Sequence, residues 1–171
     1  MNAQKPTTIY EHADEVIALS SVVDLVKLSD QYRQSAILHF AVAQHLFDQT
    51  TRPASADAIS QQLGWVPNKA KIFLNGLVAL GLLKKSADTY TNQPLAERFL
   101  VSRSAEFIGP IIAHQRLQWQ NWPRLGEILS SAESMDFQQE NRFKHDIAAR
   151  DAFNDAMVRF SQPMVDVLKE L

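Results

Sequence analysis

The side chains that could do chemistry in this chain are few and widely spaced. Five histidines (His12, His39, His45, His114 and His145) are dispersed along the chain. His39 and His45 stand six apart, so they do not share a helix face as an i, i+4 metal pair would. Each is expected to be hydrogen-bonded at the edge of a core. The densest polar cluster, Glu11-His12-Ala13-Asp14-Glu15, reads as a solvated first turn in which carboxylates suit the helix dipole. There is no cysteine, which removes disulfides, thiolate metal sites and a catalytic thiol. No Gly-x-Ser-x-Gly elbow and no His-Glu-x-x-His occur, and the five glycines each stand alone, so no glycine-rich turn can cradle a phosphate. No complete catalytic constellation is present. What remains is an aromatic group: His114, Trp119 and Trp122, with Phe153, Met157 and Phe160 farther on. Such residues at helical spacing form core, or one wall of a site for a flat apolar molecule whose other wall comes from elsewhere.

The elements that must position these groups are legible around Ser55–Leu100. Ser55 caps a short helix that Gly64 ends. Pro67 opens a second helix, almost wholly apolar from Ile72 to Leu80 and therefore expected at the centre of the domain, and Gly81 stops it. Leu82–Lys85 and Thr89–Thr91 pair across a three-residue turn, Ser86-Ala87-Asp88, that lacks the usual glycine. Asn92 caps, and Pro94 opens, a further helix. The fold class is mainly α, a winged helix-turn-helix with a small β-hairpin wing and additional N- and C-terminal dimerisation helices.

Outside that unit, residues 1–8 read as a loose tail. The apolar residues between Ala13 and Leu28 recur with few interruptions, so that helix buries more than one face, against a partner subunit or its own domain. A second helix is expected over Gln34–Phe47, then a breaker at Thr50–Pro53. Ala105 to about Ser131 reads as helix broken near Gly109-Pro110 and Trp122-Pro123. Ser134–Glu140 reads as a polar loop, and a last helix from about Ile147 is kinked at Pro163. The expected division is 1–33, tail and dimerisation helix; 34–103, winged-helix core; 104–171, C-terminal helices. The ending VLKEL stops mid-pattern, which suggests that more chain once followed.

Composition bounds the function. At 171 residues, 46% hydrophobic and 21% charged, the chain is globular rather than disordered. Its longest run without Asp, Glu, Lys or Arg, Gln34–Phe47, is fourteen residues, too short to span a bilayer, and no signal pattern opens it; cytoplasmic residence is the default. The net charge is −2, yet Thr51–Arg103 holds seven bases and three acids, so that segment is +4 and the remainder −6. A DNA-binding use would present Asn68, Lys69, Lys71 and Asn75 to the major groove, with Lys84 and Lys85 on the wing. That helix has no arginine to read guanine, and so few cations release few counterions. A solvated face is the preferred reading, and nucleic acid is an unlikely partner.

Further residues carry a resemblance. Leu46-Phe47-Asp48, Ala58–Gly64, Leu77–Leu83, Tyr90–Ala96 and Phe99-Leu100, followed by Trp122-Pro123-Arg124-Leu125 and Phe153-Asn154-Asp155-Ala156-Met157, resemble the N-terminal dimerisation region of S-adenosylmethionine-dependent small-molecule O-methyltransferases, the plant caffeate type and its bacterial relatives in secondary metabolism. The likeness runs from about Tyr32. It implies a homodimer of intertwined N-terminal regions that helps close a small aromatic substrate into the pocket of a following Rossmann-like domain. By position it places Phe153, Met157 and Phe160 on a helix facing substrate, and His114, Trp119 and Trp122 on the other side. The family's S-adenosylmethionine loop is expected soon after Leu171 and its catalytic histidine beyond that, so this chain alone is expected neither to bind the methyl donor nor to transfer methyl groups. The rival readings are a winged-helix transcription regulator binding DNA as a dimer and a stand-alone binder of an aromatic metabolite.

Overall fold

The computed structural model describes residues 19–130 together with 147, 150, 151, 153–158 and 161. The chain enters through Ser21, whose hydroxyl accepts the Asp24 backbone N–H at 3.2 Å and donates to the Asp24 carboxylate at 2.8 Å. This reciprocal cap starts helix α1 (Val22–Ala43), and the hydroxyl bonds hold the Asp24 carboxyl below its usual range. The two helices expected at 13–28 and 34–47 are therefore one continuous helix across residues 22–43. No proline or glycine interrupts residues 29–33, and the polar residues there face solvent without breaking the ladder. The expected boundary at 33/34 falls inside α1. What ends it is His45 at φ 50, after which α2 (Leu46–Gln49) turns inward.

Strand β1 (Ala54–Ser55) leads into α3 (Ala56–Leu63), capped by Ser55 as expected: its hydroxyl accepts the Ala58 N–H at 3.2 Å. Gly64 at φ 69 closes α3 in the left-handed region. Helix α4 (Pro67–Ala79) follows with Pro67 in its first turn. At its end Gly81 adopts φ 71, its N–H bonds Val78 C=O, and Leu82 N–H bonds Leu77 C=O, both at 3.0 Å. That pair of bonds is a Schellman stop and explains why the helix yields to a strand there. α4 buries Ala70, Leu74 and Leu77 but leaves Ile72 74% exposed, so only one face of its apolar run is central.

Strands β2 (Leu83–Ser86) and β3 (Thr89–Asn92) form the wing. Ser86 pairs with Thr89, so the turn is the two residues Ala87-Asp88 rather than three, with Ala87 carrying the positive φ of 50 that glycine would take without strain. β1 adds a third strand, giving an antiparallel sheet of order β1-β3-β2 with Ala54 opposite Tyr90. Two residues were too short a signal to read in advance. Asn92 does not cap α5 (Pro94–Phe99); Gln93 occupies that position. Asn92 instead knots three segments: its amide donates to Phe47 C=O and to the Glu97 carboxylate, and its carbonyl accepts the Thr50 hydroxyl.

The core lies where α1, α2, α3, α4 and the sheet meet. Leu46, Phe47, Ile59, Leu74, Leu77, Leu83 and Tyr90 are all fully buried there. Helix α6 (Gly109–Gln118) opens at Pro110, as its proline requires, and packs on α1. It tightens into a 3-10 turn (Trp119–Arg124) containing Pro123 and resumes as α7 (Leu125–Ser130). Pro123 lacks the N–H that a continuous α-helix would use, so the expected break appears as a change of helix type. Residues 153–158 are helical. The expected polar loop, the kink at Pro163 and the N-terminal cluster around His12 lie outside the described residues.

Candidate functional site

The N-terminal half of α1 presents a run of exposed apolar side chains. Val22 is 75% exposed, and Val23, Leu25, Val26 and Leu28 between 41% and 59%. Leucine and valine in water each forfeit on the order of 1.5–3 kcal/mol relative to full burial, and contiguous apolar patches of this kind mark interfaces. Within the described residues, the chain's own domain does not cover this face.

One face of α1 continues from this patch. Leu25, Leu28, Tyr32, Ser35 and His39 follow at alternating steps of three and four, the repeat that keeps side chains on one side of a helix. Where Tyr32, Ser35 and His39 meet α6 and the 3-10 turn, they line a cleft of about 480 Å³. Gln115 and Gln118 line it from α6; Trp119, Trp122 and Pro123 complete the wall. The His39 ring meets Trp119 edge to face, centroids 5.4 Å apart. Burial, and secondarily the charge of Arg116, push the His39 imidazole below its ordinary range, so it is neutral near pH 7. Its Nδ1 is buried and has no hydrogen-bond partner among the described residues, a departure from the satisfied core-edge histidine expected from sequence.

The expected aromatic group is divided. Trp119 and Trp122 share the cleft, Trp119 half-buried and Trp122 66% exposed. His114 lies one turn before them and faces Phe153, ring centroids 4.5 Å apart. Gln118 joins the two halves, its Nε2 3.1 Å from His114 Nε2 while it also lines the cleft. Met157 is 40% exposed, and Phe160 lies outside the described residues. Sequence reasoning missed Tyr32, Ser35, His39, Gln115 and Gln118. The only signal for the first three was their register with Leu25 and Leu28, which a helix broken at residue 33 conceals.

The face that would read DNA is partly occupied by its own wing. The Asn75 side-chain oxygen accepts the Tyr90 hydroxyl at 3.0 Å and Lys85 Nζ at 3.3 Å, and that ammonium lies 5.4 Å from the Tyr90 ring centre. An asparagine reads adenine with both ends of its amide; here one end is committed. Among the described residues no cluster of three or more His, Cys, Asp or Glu could hold a metal, and no helix is long and apolar enough to cross a membrane.

Comparison with known proteins bears on this arrangement. Residues 26–102 match the family model described as the O-methyltransferase dimerisation domain. The chain is 38% identical over 112 residues to the N,N-dimethyltransferase OxyT of Streptomyces rimosus, covering 64% of this chain and 33% of that protein. It is 34% identical over 114 residues to the tetracenomycin polyketide synthesis 8-O-methyl transferase TcmO of Streptomyces glaucescens, with the same shares covered. The solved structure of an O-methyltransferase family protein from Burkholderia thailandensis superposes with a TM-score of 0.79 at 62% identity, over 90% of this chain and 46% of that one. Further structures sharing the fold include CalO1, a methyltransferase in calicheamicin biosynthesis solved in an SAH-bound form, and human N-acetylserotonin methyltransferase solved in complex with SAM. The chain thus spans about a third of the curated relatives it matches and just under half of that solved structure.

Proposed function

We propose that this chain, whose residues 26–102 match the O-methyltransferase dimerisation-domain model, serves as the homodimerising and substrate-lid region of an S-adenosylmethionine-dependent methyltransferase acting on a small aromatic metabolite. The observation that carries the reading is the exposed apolar face of α1, from Val22 to Leu28. A twofold contact buries such a face on both subunits at once, since an isologous interface uses the same patch twice. The lid role is supported by the open aromatic wall of Trp119 and Trp122, which offers contact area without any complete set of catalytic groups among the described residues. Methyl donor and catalytic base belong, on this reading, to sequence other than these 171 residues, so the region binds, orients and excludes water while the transfer is carried out elsewhere.

Multi-angle light scattering on the purified chain at micromolar concentration tests the proposal. A mass of twice 19.3 kDa is expected; a monomer at that concentration would sink it. The winged helix raises a DNA-binding alternative, but the commitment of Asn75 and Lys85 to Tyr90 weighs against it.

A further inference from the structure

We propose that the exposed face of α4, together with the wing strand beside it, is a docking surface for a second protein that presents an acidic amphipathic helix. The inference goes beyond the dimer and lid reading, and it uses no residue of the apolar α1 face or of the aromatic wall.

Asn68, Ile72, Asn75 and Ala79 follow at steps of four, three and four, so they form one ridge along the outer side of α4, opposite the buried Ala70, Leu74 and Leu77. All four are exposed, and Ile72, in the middle of the ridge, is 74% exposed. Lysines flank this ridge on both sides. Lys69 stands on one side; Lys71 and, from the adjoining strand β2, Lys85 stand on the other, with Lys85 held to Asn75 by a 3.3 Å bond. Their charge is not neutralised within the fold. Arg33, Arg98, Arg124 and Arg150 each pair with a carboxylate, whereas among the described residues none of these three lysines does.

An apolar side chain between charged flanks is the arrangement of a protein interface, with its apolar centre and polar rim. Its complement is a helix with apolar side chains at i, i+3, i+4 and i+7 and carboxylates to either side, which covers Ile72 and neutralises the lysines at once. Nucleic acid fits less well. Three lysines release few counterions, and a phosphate backbone gives Ile72 no apolar partner. The Asn75 Oδ1 already accepts the Tyr90 hydroxyl and the Lys85 ammonium.

The test titrates the isotope-labelled chain with a synthetic peptide carrying leucine at those four spacings between flanking glutamates. Its controls are a peptide of the same composition in scrambled order, a short random-sequence DNA duplex and phosphatidylglycerol vesicles. Amide shifts are expected at Asn68–Asn75 and Leu83–Ser86, strongest with the amphipathic peptide, while those of Val22–Leu28 stay in place. Lys69→Glu combined with Lys71→Glu should weaken the peptide about tenfold, the worth of two exposed ion pairs, and flatten its dependence on salt. Ile72→Ser should weaken it about five- to tenfold, because most of an isoleucine's burial is still to be gained there, and leave the salt dependence unchanged. The proposal is overturned if the duplex, the vesicles or the scrambled peptide binds as tightly as the amphipathic peptide, or if the shifts fall on α1. It is also overturned if the lysine variant changes the mass of the chain in solution instead of its affinity for peptide, since the face then belongs to a second copy. The wild-type shift map decides even where a variant fails to fold. A monomeric chain that still binds the peptide counts against the dimer reading alone, which keeps the two failures apart.

Discussion

Replacing Leu25 by aspartate should separate association from folding. Leu25 is 55% exposed in the single chain, so about half of a leucine's burial energy, about 1 kcal/mol, remains to be gained at an interface. A twofold contact contains the residue twice, and removing it from both subunits forfeits about 2 kcal/mol, a roughly 30-fold rise in dimer Kd. Two carboxylates desolvated in the same interface raise it further. The fold itself should barely respond. The position is four residues after the Ser21 cap, where the lower helix propensity of aspartate, about 0.5 kcal/mol, is offset by its favourable interaction with the helix N-terminus. Sedimentation equilibrium across a concentration series reads the Kd, and far-UV circular dichroism reads the helix content. An unchanged Kd with intact helix would refute the assignment of this face to the interface.

The other predictions concern the fold that holds the cleft in place. Ala87→Gly should raise stability by about 1 kcal/mol in urea unfolding, because Ala87 sits at φ 50, where a Cβ is costly; no gain would mean the turn is unstrained. Asn92→Ala should cost about 1–3 kcal/mol, since it strips partners from the Phe47 carbonyl and the buried Thr50 hydroxyl. Leu77→Ala, at a fully buried position on α4, should cost about 3 kcal/mol. His39 contributes a pH dependence of definite sign. Its folded pKa lies below the ordinary 6.5, so the unfolded chain binds the proton first. Stability should fall as pH drops from about 6.5 through the folded value and level off on either side of that window, and His39→Leu should flatten that slope in urea midpoints measured between pH 7.5 and 5.

The winged unit was legible because its punctuation is local. Ser55, Gly64, Pro67 and Gly81 each set one dihedral or satisfy one backbone group, and each does so in the structure. The turn at Ala87-Asp88 was placed to within one residue, since no glycine fixed its register. The continuity of α1 was hidden for the opposite reason: residues 29–33 are polar and carry no apolar period, so two stripes looked like two helices although nothing stops the ladder between them. The cleft depends on that continuity. Trp119 and Trp122 were found by residue type, whereas Tyr32, Ser35 and His39 come from the other side of a tertiary contact between α1 and α6, which no local pattern encodes. Asn92 shows the same limit, because its cap-like position is overridden by partners more than forty residues away.

The claim that a second copy covers α1 is tested most directly by isotope-filtered nuclear Overhauser spectroscopy on an equimolar mixture of labelled and unlabelled chain. Cross-peaks between copies are expected at the methyl groups of Val22, Leu25 and Val26. Their absence, or intermolecular peaks confined to α4 and the wing, would contradict it.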